Sequence, residues 1–173
     1  MGRFNKGGRV VRKTIFWTLI GVLLLCTLSP DADAEPIRFY GIGGRLGLVK
    51  PDGGDVTIGF GGHADLGPFL TTLQLYPSVE FWTRNHYSEF SINGDARYYL
   101  PMTGTTVMPF IGGGVCLLYM NLHDHSELDF GLDFLGGLDF PVAFGVLFVE
   151  GKFKIDGVDV FKITGGFTLP VGG

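Results

Sequence analysis

Residues 128–140 read LDFGLDFLGGLDF, in which Leu-Asp-Phe occurs three times. A segment packed on all sides would exclude the aspartates, and a solvated one has no use for so many leucines and phenylalanines. Wound as a helix, the stretch would group Asp129 with Asp133, but Gly131, Gly136 and Gly137 would each cost about 1 kcal/mol. Extended as a strand, alternate side chains take opposite faces. Leu128, Phe130, Leu132, Phe134, Leu138 and Phe140 then share one face, and Asp129, Asp133 and Asp139 the other, with Gly131 and Gly137 between them. The strand has one apolar and one acidic face.

The same split recurs in seven other segments: 38–49, 56–66, 72–84, 90–100, 106–119, 146–155 and 160–169. Tyr40, Ile42, Leu46 and Leu48 alternate with Gly41, Gly43, Arg45 and Gly47; Phe90, Ile92, Ala96 and Tyr98 alternate with Ser91, Asn93, Asp95 and Arg97. Turn residues separate the segments, among them Pro51-Asp52-Gly53-Gly54, Gly67-Pro68, Pro101-Met102-Thr103-Gly104 and Asp156-Gly157. With 29 glycines in 173 residues and many Phe, Val, Ile and Thr, the composition disfavours long helices and suits strands. The expected fold class is all-β.

Residues 1–34 differ from the rest. Arg3, Lys6, Arg9, Arg12 and Lys13 precede an apolar run from Thr14 to Leu28, followed by Ala32-Asp33-Ala34. These are the three parts of a secretory signal peptide, cleaved between Ala34 and Glu35. The run is short for a membrane helix, which needs about 20 residues, so an uncleaved anchor is disfavoured. Leu25 before Cys26 is too large for a lipoprotein signal. The expected division is signal peptide 1–34 and barrel domain 35–173. The latter carries eight basic and fifteen acidic residues, net −7, and a single cysteine, Cys116. It has no internal disulfide and no basic patch for nucleic acid.

Segments of about ten alternating residues joined by turns are the pattern of a transmembrane β-barrel. A soluble lipocalin-like carrier would point its apolar face inward instead. Three features favour the membrane arrangement. The charges crowd one face, that face is rich in glycine, which suits the narrow interior of eight strands, and its charges have both signs. Arg45, Arg84, Arg97, Lys152, Lys154 and Lys162 meet Asp65, Glu80, Asp95, Asp129, Asp133, Asp139 and Glu150, with His63 beside Asp65. Paired, such groups form a structural lumen network; unpaired, they would be costly there. Phe39, Tyr40, Phe81, Trp82, Tyr98, Tyr99, Tyr119, Phe140 and Phe144 lie near segment ends, where interfacial girdles belong.

Met108-Pro-Phe-Ile-Gly-Gly-Gly-Val (108–115) resembles the Pro-Tyr-hydrophobic-Gly-x-Gly strand of the small bacterial outer-membrane β-barrels, the superfamily of outer-membrane proteins A, X and W and the opacity proteins. Asp95-Ala-Arg-Tyr-Tyr-Leu-Pro, Phe148-Val-Glu-Gly-Lys-Phe-Lys and Gly165-Gly-Phe-Thr-Leu are similar to three further strands of that family, with Lys152 where arginine is usual. The resemblance covers residues 35–173 and implies an eight-stranded antiparallel up-and-down barrel in the outer membrane. Its implied partners are outer-membrane lipid, the barrel-insertion machinery and periplasmic chaperones. Such barrels usually end in an aromatic residue; here Phe167 stands before Thr168-Leu169-Pro-Val-Gly-Gly and is the candidate for that role.

Two other clusters carry chemistry in principle. His123-Asp124-His125 with Glu127 and Asp129 has metal-ligating types, but reads better as a solvated loop. His86 and Ser88 share a strand face, as a base and nucleophile would, and lipid A deacylase uses such types. Its His-x-Ser-Asn context is missing here, because Glu89 follows. His63 and Asp65 form a possible histidine–carboxylate couple with no nucleophile beside it. The expectation is a non-enzymatic barrel without cofactor or metal, with a structural, envelope or surface-binding role. A membrane-embedded lipid-modifying enzyme and a soluble carrier are the alternatives.

Overall fold

The computed structural model describes residues 38–70, 73–84, 87–122, 125–155 and 159–171. The proposed signal peptide and cleavage site, His86, His123 and Asp124 lie outside the described residues. Eight long strands form the fold: β1 Gly41–Pro51, β2 Thr57–Asp65, β3 Leu73–Arg84, β4 Tyr87–Tyr99, β5 Met108–Leu122, β6 His125–Val142, β7 Gly145–Ile155 and β8 Val160–Pro170. A three-residue strand, Pro68–Leu70, adds to the start of β3. Among the described residues there is no helix.

Each long strand pairs antiparallel with the next in sequence, and β8 pairs with β1, so the sheet closes into an eight-stranded up-and-down barrel. Closure leaves no long edge to be covered. The turns are short because antiparallel neighbours need only a few residues between them. Between β1 and β2, Gly53 takes φ 66°, a conformation glycine adopts without strain, and Gly54 N donates to Pro51 O at 3.1 Å.

The facing follows the two-residue period. Leu46, Ile58, Phe134, Val149 and Ile163 lie on the outer surface, with Leu46 62% exposed. Arg45, Glu80, Arg97, Glu150 and Lys152 are buried inside. This is the reverse of a soluble carrier, whose cavity would be apolar and whose exterior would be charged.

Several strand limits differ from the sequence reading. β4 begins at Tyr87 rather than 90, because Thr83↔Ser88 and Arg84↔Tyr87 continue the ladder to the end of β3. The β5–β6 hairpin runs on to the pair Leu122↔His125, so Glu127 is a strand residue rather than a loop residue. Both extensions add paired backbone, which satisfies groups that a loop would leave to water.

Candidate functional site

Most glycines on the inner face stand between two long side chains on the flanking strands. Without a Cβ, each lets its neighbours meet over the bare backbone. Gly61 pairs with Arg45 on one side and Glu80 on the other, and Arg45 Nη1 donates to Glu80 Oε1 at 2.8 Å. Gly43 separates His63 from Thr168, and His63 Nε2 lies 2.8 Å from Thr168 Oγ1. Gly112 likewise stands between Arg97 and Leu135, and Gly114 between Asp95 and Asp133. The glycine-rich polar face is thus a spacing device that lets long charged side chains cross the interior.

Those side chains join into one ion-pair network. At its head, Lys154 Nζ donates to Glu89 Oε1 at 2.9 Å. Lys162 lies 4.0 Å from Glu89 and donates to Glu80 at 2.8 Å. Glu80 is the hub, because Arg45 and Lys152 also approach it, at 2.8 and 3.6 Å. Lys152 continues to Asp95 at 2.6 Å and Asp133 at 3.7 Å. Arg45 continues to Glu150 at 3.4 Å. Glu150 accepts from Arg97 Nη2 at 2.6 Å. Arg97 is 3.8 Å from Asp139, whose other oxygen accepts from Tyr99 Oη at 2.6 Å. Lys152 and Lys162 are direct cross-strand partners, a like-charge arrangement that their shared hub, Glu80, offsets.

An aromatic cage encloses one end of the network. The Arg97 guanidinium lies 3.9 Å from the Tyr76 ring centroid, 4.2 Å from that of Phe110 and 5.3 Å from that of Phe148. Cation–π contacts of this kind strengthen when desolvated. At the opposite mouth, near the β1–β2 and β7–β8 turns, Val49, Trp82 and Val160 pack as an apolar cluster with Tyr87 against it.

Arg45, Glu80, Asp95, Arg97, Asp133, Asp139, Glu150, Lys152, Lys154 and Lys162, read from the sequence as lumen charges, are all buried inside and share this network. Three others sit apart from it. Arg84 pairs with exposed Asp55 at the rim, since β3 ends there. Asp129 is only half-buried, and its Oδ1 accepts from Phe130 N. Asp65, at the end of β2, accepts from Gly67 N at 2.8 Å and Tyr76 Oη at 3.4 Å. His63 is turned to Thr168 and stacks on Tyr76. It makes no couple with Asp65, because the open space over Gly43 draws the ring sideways.

Glu89, Tyr76, Phe110, Phe148, Leu118 and Leu135 also face inward, which the polarity pattern of the sequence does not indicate. Sorting residues by polarity passed over the apolar ones, whereas counting in twos from Arg97 reaches Tyr99 and from Glu150 reaches Phe148. Trp82 and Tyr99, expected in an outer girdle, also turn inward, since each lies an even number of residues from a lumen charge. Tyr40, Tyr98, Tyr119 and Phe144 are exposed on the outside. Among the described residues no three of His, Cys, Asp and Glu are grouped to hold a metal ion. Ser88 pairs with Thr83 in the β3–β4 ladder.

An apolar outer wall around a charged interior is the inverse of a soluble barrel and the arrangement a closed barrel needs in hydrocarbon. The fold is that of the small outer-membrane β-barrels. The crystal structure of Neisserial surface protein A superposes with TM-score 0.59 at 15% identity, over 77% of this chain and 97% of that one. The N-terminal β-barrel domain of Pseudomonas aeruginosa OprF gives 0.53 at 12% identity, over 78% of this chain and all of that domain. No protein-family model and no curated protein sequence matches the chain.

Proposed function

We propose that the chain is a non-enzymatic integral protein of the bacterial outer membrane, exported by residues 1–34, whose lumen is plugged by its own side chains. Its role is structural, supporting the envelope, or surface-binding through the strand ends. The observation that carries this reading is the inversion: Leu46, Phe134 and Ile163 face outward while Glu80, Lys152 and Arg97 are enclosed. Water would not reward that exterior, and lipid does. The plug rests on Arg97 held among Tyr76, Phe110 and Phe148, because eight strands enclose little more than side chains. Outer-membrane lipid, the insertion machinery and periplasmic chaperones are the partners such a barrel requires.

The test uses Cys116, which is 2% exposed inside the barrel. A Phe134→Cys variant in liposomes labels with a lipid-soluble maleimide, and brominated lipid quenches its fluorophore. Cys116 stays unlabelled until the barrel is denatured. A protein that stays soluble without detergent, with position 134 unquenched, would contradict the membrane reading.

A further inference from the structure

We propose that Asp133, Asp95 and Asn93 form a site for one small alkali cation inside the lumen. The lumen network contains the cations Arg45, Arg97, Lys152, Lys154 and Lys162, against the carboxylates Glu80, Glu89, Asp95, Asp133, Asp139 and Glu150. One negative charge is in surplus. A buried charge without a partner is strongly unfavourable, so the surplus calls for neutralisation, by a proton or by a counter-ion, and only the counter-ion makes stability depend on sodium.

The surplus is concentrated at Asp133. This side chain is 1% exposed, and neither of its oxygens has a hydrogen-bond partner. Lys152 is 3.7 Å away and is committed to Asp95 Oδ2 at 2.6 Å. Lys154 is the direct cross-strand partner of Asp133, yet its ammonium donates to Glu89. Asp95 Oδ1 is also without a partner. It overhangs Gly114, where a Cβ would collide with it, and Gly114 is the residue that separates Asp95 from Asp133.

A neutral oxygen stands next to Asp95 on the same inward face. Asn93 is 2% exposed, at the next inward position of β4. Its Nδ2 donates to Ser78 Oγ on β3 at 3.0 Å, and its Oδ1 has no partner, which leaves that oxygen available as a ligand. Carboxylate and amide oxygens are hard ligands, suited to alkali and alkaline-earth ions. The nearby Lys152 ammonium and the single surplus charge select a monovalent ion, since a divalent one would leave the network net positive.

The purified barrel is unfolded in sodium chloride and in N-methylglucamine chloride at equal ionic strength. Sodium is expected to raise the unfolding midpoint, with the folded-to-unfolded ratio approaching a tenfold gain per tenfold rise in sodium above the dissociation constant. D133N is expected to fold, because the amide removes the surplus charge, and to abolish the difference between the two salts. Equal midpoints for the unsubstituted protein, or a salt difference that survives in D133N, would overturn the site. Independently of any variant, crystals grown with thallous ion, a heavy monovalent stand-in, are expected to show an anomalous peak between Asp95 and Asp133. Its absence would equally overturn the proposal.

Discussion

Arg45 and Glu80, on strands that are not neighbours, meet at 2.8 Å across the bare backbone of Gly61. The contact depends on that glycine as much as on either charge. A Cβ built there would collide with Val79 O and lie 3.0 Å from Glu80 Cα.

Gly61→Val is therefore expected to destabilise the barrel by about 1–3 kcal/mol through overpacking, and more if the ion pair is lost with it. Gly44→Ala, on the outer face with nothing within 4 Å of the added Cβ, is expected to change stability by less than about 0.5 kcal/mol. Urea unfolding in lipid vesicles, followed by tryptophan fluorescence, measures both. Equal effects would mean that the inner glycines are not spacers.

Glu80 neutralises parts of Arg45, Lys152 and Lys162 at once. Glu80→Gln leaves buried Lys162 with only Glu89, 4.0 Å away, and is expected to cost about 3–5 kcal/mol. Asp55→Asn removes an exposed rim partner of Arg84 and is expected to cost less than about 1 kcal/mol. The temperature at which each variant loses its compact band on unboiled gels ranks them, and a reversed ranking would refute the hub.

The Arg97 guanidinium, packed among Tyr76, Phe110 and Phe148, fills the section it occupies. The unsubstituted barrel in planar bilayers is expected to show no steady ionic current. The double change Phe110→Ala with Phe148→Ala is expected to open measurable conductance steps. Currents of the same size in both proteins would place the barrier elsewhere.

Leu46 is at the middle of β1 and 62% exposed. Leu46→Arg is expected to reduce folding stability in vesicles by about 2–4 kcal/mol, the penalty for arginine near a bilayer midplane. A change below about 0.5 kcal/mol, as on a wetted surface, would argue that this face does not meet lipid.

The strand pattern is legible in the sequence because alternation is a local property: Asp129, Asp133 and Asp139 fall on one face whatever the rest of the chain does. The direction of that face followed from its charge and glycine content, and ten of the expected lumen charges lie in one network. Glu89 escaped because its segment read as a turn, and the ladder from Thr83 to Ser88 that makes it a strand is a pairing between segments. Tyr76, Phe110 and Phe148 escaped because polarity is a poor guide inside a closed barrel, where an aromatic ring serves to fill space and hold a guanidinium.

By itself, then, the chain determined strand number, facing and ten of the buried charges. Partner choice was decided by closure. That Arg45 reaches Glu80, that His63 turns to Thr168 rather than Asp65, and that Asp133 is left without a hydrogen bond all depend on the register of strands around the barrel. Register sets which glycine lies between which side chains, and no count along one strand contains it.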